Sequence, residues 1–426
     1  MAARGAAAAR GGAAAAGAAA AAASPRAAGA AAAAAPGGST FARWLRADRQ
    51  AGAARGAAAQ ARAAASLEQV AADAAKGAGG PMTLSTWLLR MEQQGKVDGE
   101  LAIVLSSIAT ACKQIGSLVN RASLVGATGL AGEQNVQGED QKKLDVISND
   151  IFNDCLRNSG RTGYLASEEE DVPIAVEETY GGNYVVCFDP LDGSSNIDAG
   201  ISVGSIFGVF EPSEQCLVED RHVVTDSVEG DLTDEAKETL LYCCQPGRDL
   251  LSAGYVMYSS STVLVLSVGD GVVGFTLDNL IGDFVMTHAD IKIPETGKIY
   301  SFNEGNAANW SEGLKNYMSH VKAPEGEGSS PYSARYIGSL VGDFHRTMLY
   351  GGIYGYPGDK KNVNGKLRLI YECAPMSFLA EQAGGAGSTG DGRVLDLQPE
   401  AVHQRCPLFI GSKKEVEKLE EYFKQG

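Results

Sequence analysis

Asp189-Pro190-Leu191-Asp192-Gly193-Ser194-Ser195 follows directly on Tyr184-Val185-Val186-Cys187-Phe188, a short β-branched and aromatic run. Such a run reads as a buried strand, so the heptapeptide stands at a strand's C-terminal end, where the backbone must turn. Asp189 and Asp192 can converge there on one hard cation. The Gly193-Ser194-Ser195 turn offers N–H groups and hydroxyls to an anion. A metal beside a phosphate is the arrangement that metal-assisted phosphate-ester hydrolysis requires. The competing reading of the heptapeptide alone is an ordinary solvated Asp/Gly turn.

Two further acidic clusters weigh against that plain turn. Ser167-Glu168-Glu169-Glu170-Asp171 follows another apolar stretch, and Lys366-Leu-Arg-Leu-Ile-Tyr-Glu372 reads as an alternating strand that ends on a carboxylate. A run such as 168–171 is usually a solvated face, whereas Glu372 closes a segment that otherwise reads as core. Oxygen ligands without a His/Cys cluster at zinc spacing favour Mg²⁺ or Mn²⁺.

Together with these, Gly138-Glu-Asp-Gln-Lys-Lys-Leu-Asp145, Asn303-Glu-Gly305, Ala334-Arg-Tyr336 and Tyr350-Gly-Gly352 occur in a fixed order along the chain. In that order they resemble the fructose-1,6-bisphosphatases, from about Met82 to the C-terminus. The plastid type is the nearer of the two branches. The resemblance implies a layered α/β sandwich of alternating helix and sheet layers, the sugar-phosphatase fold. It also implies hydrolysis of the 1-phosphate of fructose 1,6-bisphosphate in plastid carbon fixation. Sedoheptulose-1,7-bisphosphatase, inositol monophosphatase and a non-catalytic binding protein on the same fold are the rival readings.

The first 66 residues are Ala- and Gly-rich, with eight Arg, no Lys and one acidic residue, Asp48. Basic, acid-poor composition of this kind marks a targeting segment. Residues 1–75 are accordingly expected to be a transit segment for the chloroplast stroma. Ala13–Ala23 could also serve as the apolar region of a secretory-type leader. Since the whole chain sums to −16, the remainder is strongly acidic, and nucleic acid is not an expected partner. The Ala runs, broken by Gly and Arg, do not make a membrane span.

Leu101, Val104, Leu105, Ile108, Ala111, Ile115, Leu118 and Val119 recur at helical spacing. Ser261–Asp278 reads as two strands joined at Gly269-Asp-Gly271. Pro375 opens a helix that Gly384-Gly385 closes, and Lys413–Lys424 forms the last helix. Mixed helices and strands argue for layered α/β architecture. A domain with the metal motifs is expected over 82–290, and a substrate-binding domain over 291–426.

The resemblance assigns Glu168, Glu169, Asp189, the Leu191 carbonyl, Asp192 and Glu372 to two or three Mg²⁺ (or Mn²⁺) ions. Glu139 and Asp145 would orient and deprotonate the attacking water, with Glu169 contributing. Glu139 stands where cytosolic members tend to carry Asp. It lies in 123–143, where Gly126, Gly129, Gly132 and Gly138 suggest a loop that closes over the metals. Gly193, Ser194 and Ser195 would meet the reacting phosphate. Asn303, Tyr336, Tyr356 and Lys366 match the distal-phosphate pocket, and Arg335 a residue lent by a neighbouring subunit of a homotetramer. Asn306-Ala307 replaces the aromatic often found after Asn-Glu-Gly.

Two regulatory expectations also follow from the resemblance. The positions matching the cytosolic AMP site are Asp98, Ala102, Asn183 and Glu211, which lack the cations to hold a phosphate, so AMP inhibition is not expected. Residues 214–244 match the acidic insert through which thioredoxin regulates plastid members. Nine acidic residues against Arg221 and Lys237 read as an exposed loop with little core. Cys216 would pair with Cys243 or, second, with Cys244. Thr239 stands where the usual partner cysteine is expected. Cys112, Cys155, Cys187 and Cys373 fall in helix or strand patterns that suit buried, inert thiols.

Overall fold

The structure, a computed structural model, describes residues 81–134, 140–176, 184–211, 239–240, 242–324 and 330–425. The expectations for Glu139, Cys216, Asn183, segment 1–75 and most of the acidic insert lie outside the described residues.

Helices α1 (Leu84–Gln93) and α2 (Gly99–Val119) open the described chain. Leu101, Val104, Leu105, Ile108, Ala111, Cys112 and Ile115 are buried, at the spacing of one helix face. By length and composition α2 could cross a bilayer, but that face belongs to a core shared with Leu144, Phe152, Phe188 and Phe207. The stretch read as a glycine loop holds a helical turn, Ala122–Val125, and a hairpin of β1 (Leu130–Gln134) with β2 (Asp140–Lys142). Helix α3 (Lys143–Arg157) follows without a break.

Next come β3 (Thr162–Ser167), β4 (Ile174–Ala175), β5 (Tyr184–Asp192), β6 (Val203–Phe210), β7 (Leu250–Tyr258), β8 (Thr262–Ser267), β9 (Val273–Asp278) and β10 (Asp283–His288). They form an eight-stranded sheet in the order β10-β9-β8-β7-β6-β5-β3-β4 among the described residues. β3 and β5 run parallel, so their C-terminal ends lie side by side. Along β5, Val185 and Cys187 enter one core, while Tyr184, Val186 and Phe188 enter the other. A strand covered on both faces has no polar side to show, which explains the unbroken apolar run in the sequence. Phe188 stacks on Phe152 of α3 with ring centroids 4.7 Å apart. Truncating such a buried ring costs about 3–5 kcal/mol, so the stack fixes α3 to the sheet.

The later elements are β11 (Ile299–Ser301), α4 (Glu312–Lys322), β12 (Ser333–Ala334), α5 (Leu340–Tyr350), β13 (Ile353–Tyr356), α6 (Ala374–Gln382), β14 (Ala386–Ser388), β15 (Leu408–Gly411) and α7 (Lys413–Gln425). Their sheet has the order β12-β11-β13-β15-β14. Phe344 of α5 and Met376 and Leu379 of α6 share a core with Ile206 and Tyr255 of the large sheet and with Leu408 and Ile410 of the small one. Leu314 and Tyr317 of α4 and Val416 and Leu419 of α7 pack on Ile353 and Phe409. Helices and sheets therefore alternate in layers, with α5 and α6 between the two sheets.

Two expectations are corrected here. Lys366–Glu372 is not a strand: Leu369–Cys373 forms one π-helical turn that runs into α6. All five of its residues are buried, so no alternating polar face exists. The Glu372 side chain itself closes the turn by accepting from the Arg368 N–H at 2.6 Å. The end of the acidic insert is also not an exposed loop, because Leu240, Cys243 and Cys244 are buried in the core between the sheets.

Candidate metal and phosphate site

Residues three apart on a regular strand point to opposite faces. Asp189 and Asp192 escape that rule because β5 is bulged between them: Asp189 pairs with Ile206 and Asp192 with Gly204, three residues against two. The extra residue restores both carboxylates to one side. Pro190 fits the bulge because it has no N–H to pair, and its carbonyl accepts from the Ser205 hydroxyl at 2.7 Å. Asp189 Oδ1 accepts from Leu191 N–H at 2.9 Å, while the Leu191 side chain is buried in the opposite core. Gly193, at φ 75°, makes the left-handed turn into a 3₁₀ segment, Ser194–Ala199.

Glu168 and Glu169 follow the last residue of β3, and Glu168 N–H donates to the Phe188 carbonyl of β5 at 3.2 Å. From the other side the π turn brings in Glu372. Asp189, Asp192 and Glu372, all buried, each offer an oxygen within 4.8 Å of the others. Asp192 Oδ2 accepts from Val341 N–H at 3.1 Å and from the Ser339 hydroxyl at 3.3 Å, both at the start of α5.

These groups line a cleft of about 590 Å³ that also takes in Asp145, Glu169, Gly193, Ser194, Ser195, Tyr336, Tyr356 and Lys366. The fold thus gathers most of the residues singled out in the sequence, from positions 145 to 372. Asn303 and Arg335 do not line it: Asn303 caps a 3₁₀ turn by accepting from Gly305 N–H, and Arg335 is exposed. Lys142, Tyr354 and Arg368 do line it and were not singled out. Lys142 and Arg368 lie inside the quoted motifs, which was the available signal; nothing in the sequence marked Tyr354, Ser339 or Val341.

Residues 82–289 match the fructose-1-6-bisphosphatase N-terminal domain and residues 293–424 its C-terminal domain. The chain belongs to the fructose-1,6-bisphosphatase family. It is 62% identical over 328 residues to the chloroplastic fructose-1,6-bisphosphatase of Spinacia oleracea, covering 77% of this chain and 78% of that one. The chloroplastic enzyme of Triticum aestivum is 63% identical over the same length and shares. The crystal structure of Leishmania major fructose-1,6-bisphosphatase in holo form superposes with a TM-score of 0.73 at 41% identity, covering 81% of this chain and all of that one.

The family implies a divalent metal, and the electrostatics of the cluster fit one. Burial pushes Asp189 well above the carboxylate range, reinforced by Glu168, Asp192 and Glu372. Burial likewise raises Glu372, with Glu168 adding to it and the Arg368 cation opposing. Asp192 is pushed up to about 6, mainly by burial, although the Val341 N–H and Ser339 hydroxyl pull the other way. Packed carboxylates with so little neutralising charge are a site that a cation completes. Asp145 is also pushed up to about 6, by burial first, against the Lys142 N–H and the Ser194 hydroxyl. Its Oδ2 accepts from Lys142 N–H at 2.8 Å, and its Oδ1 is buried with no hydrogen bond.

Proposed function

We propose that this protein hydrolyses the 1-phosphate of fructose 1,6-bisphosphate to fructose 6-phosphate and phosphate, in the chloroplast stroma. One observation carries the reading. A single cleft combines a buried acidic cluster, a Gly-Ser-Ser turn for one phosphate, and Lys366 with two phenols for another. Residues 1–75 would act as the transit segment, leaving a metal-bearing domain over 82–290 and a substrate-binding domain over 291–426.

Glu168, Asp189, Asp192, Glu372 and the Leu191 carbonyl would hold Mg²⁺ (or Mn²⁺), two or three ions per site, with Glu169 joining them. Bound there, the metal supplies neutralisation of phosphate charge and a lowered pKa for water. Asp145 would accept a proton, which its unpartnered Oδ1 supports, and a carboxyl near 6 is a serviceable base at neutral pH. Glu139 would share that role from the preceding stretch. Ser194 and Ser195 would donate to the reacting phosphate. Tyr336 is held up to about 12 by burial and by Tyr356, so its phenol stays protonated and donates to the distal phosphate beside Lys366. Asn303, and Arg335 from a neighbouring subunit of a homotetramer, would complete that end. Regulation by thioredoxin would act through Cys216 with Cys243 or Cys244.

The test is phosphate release from fructose 1,6-bisphosphate, sedoheptulose 1,7-bisphosphate and inositol monophosphate, with Mg²⁺ and with EDTA. Selective, EDTA-abolished release from the fructose substrate is expected. Preference for either other substrate overturns the reading. Oxidised enzyme should be inactive at low Mg²⁺ and recover with reduced thioredoxin; equal activity in both states removes the switch.

A further inference from the structure

Asp343, on the first turn of α5, is buried, and none of its hydrogen bonds goes to a side chain assigned to the chemistry. Its carboxylate nevertheless accepts from Ile337 N–H at 3.0 and 2.9 Å, from Gly338 N–H at 3.0 Å, and from Arg346 Nη2. Arg346 Nη2 also donates to the Ser301 hydroxyl and to the Arg335 carbonyl, each at 2.8 Å. The Ser301 hydroxyl in turn donates to the same carbonyl. The segment Arg335–Gly338, which carries Tyr336 into the cleft, is thus fastened to α5 at three successive peptide units by one buried acid and one arginine.

The same turn of α5 grips the metal cluster, through Ser339 and Val341 on Asp192. The helix sits hard against the strand there. A Cβ on Gly204, the residue paired with Asp192, would lie 2.7 Å from both Val341 methyl carbons and 2.8 Å from the Val256 carbonyl. The link from the Tyr336 segment to Asp192 therefore runs through the Asp343 bonds to Ile337 and Gly338 and through the α5–β6 packing.

We propose that Asp343 is a positioning residue, with Arg346 as its partner, and that it couples the distal-phosphate segment to the metal carboxylate Asp192. The proposal rests on the assignment of the cleft made above. Ligand on Tyr336 and Lys366 would then order Asp192, and metal on Asp192 would order Tyr336, with the reciprocity that linked sites require.

The experiment is direct titration of Mn²⁺ into the full chain by calorimetry, with and without saturating fructose 6-phosphate. Wild type and Asp343→Asn are compared, with thermal unfolding run alongside. In wild type, fructose 6-phosphate should tighten Mn²⁺ by about fivefold or more, the lower end of usual site-to-site coupling. In Asp343→Asn the tightening should fall below about twofold, while the Mn²⁺ Kd without sugar phosphate moves by less than about threefold. In assays the variant should show a raised KM with kcat largely kept. Tightening equal to wild type in the variant overturns the proposal, as does no tightening in wild type. If Asp343→Asn does not fold, Arg346→Gln takes its place under the same criteria. A wild type that neither hydrolyses fructose 1,6-bisphosphate nor binds fructose 6-phosphate overturns the functional reading instead.

Discussion

Lys366 is the exposed cation of the cleft that shares its wall with the phenols Tyr336 and Tyr356. A lysine holding a phosphate far from the bond being broken binds ground state and transition state alike. Its loss therefore shows in KM rather than kcat. Lys366→Ala is expected to raise KM for fructose 1,6-bisphosphate about tenfold or more, the weight of a charge-assisted contact. Initial rates across substrate concentration check this, and an unchanged KM removes Lys366 from the phosphate pocket. At this scale much of the site was legible. Asp189, Asp192 and Glu372 are the residue types a hard cation needs, and they stood in short motifs. Tyr354 and Ser339 were illegible, because tyrosine and serine are ordinary packing residues until the fold sets one in the cleft wall and the other on Asp192.

Helix α2 begins on Asp98, whose Oδ1 accepts from Leu101 N–H at 2.6 Å. Its other oxygen accepts from the Tyr184 hydroxyl at 2.6 Å. Burial opposes the charge, yet these donors hold the Asp98 carboxyl below its ordinary value. The N–H groups and positive end of the helix, which could receive a phosphate, already carry a carboxylate. Activity is therefore expected to be unaffected by AMP, and half-inhibition at micromolar AMP in the standard assay would refute this. Asp98→Ala should cost about 1 kcal/mol of stability as a lost N-cap, read as a lowered Tm. Elements with a regular period, such as α2, β5 and the β8–β9 hairpin, were readable from sequence. The bulge in β5 was not, because a register shift is defined only against β6. The π turn was misread as a strand because Leu367, Leu369 and Tyr371 alternate by chance. What decides the turn is the Glu372 carboxylate accepting from the Arg368 N–H, and the burial of Arg368. The grip of α5 on Asp192 joins residues 149 apart in sequence, a distance over which periodicity carries no signal.

For the whole molecule, the acidic cluster and the half-buried His345 set opposite pH slopes. Asp192 and Asp145 are raised to about 6, and Asp189 and Glu372 are raised as well, by burial first and then by neighbouring carboxylates such as Glu168. In the metal-free protein the folded state therefore keeps protons that the unfolded chain releases near pH 4, so stability falls as pH rises from about 4 through about 6. His345, half-buried on α5 with its Nδ1 2.7 Å from the Tyr255 hydroxyl, is held down to about 4 by loss of solvation, against an ordinary 6.5. Below 6.5 the unfolded chain takes up a proton that the folded chain refuses, and stability falls as pH drops toward 4. Four raised carboxylates outweigh this one lowered histidine between about pH 4 and 6, so metal-free protein should be more stable near pH 4 than near pH 7. A metal must displace the cluster's protons to bind, so its stabilising effect should grow with pH. At about pH 8, Mg²⁺ at a hundredfold excess over its Kd should add about 2.7 kcal/mol to unfolding. At about pH 5.5 the same concentration should add less than half of that, because protons hold the carboxylates. Thermal unfolding with Mg²⁺ and with EDTA at the two pH values measures both gains. Equal gains would mean that Mg²⁺ binds somewhere other than Asp189, Asp192 and Glu372.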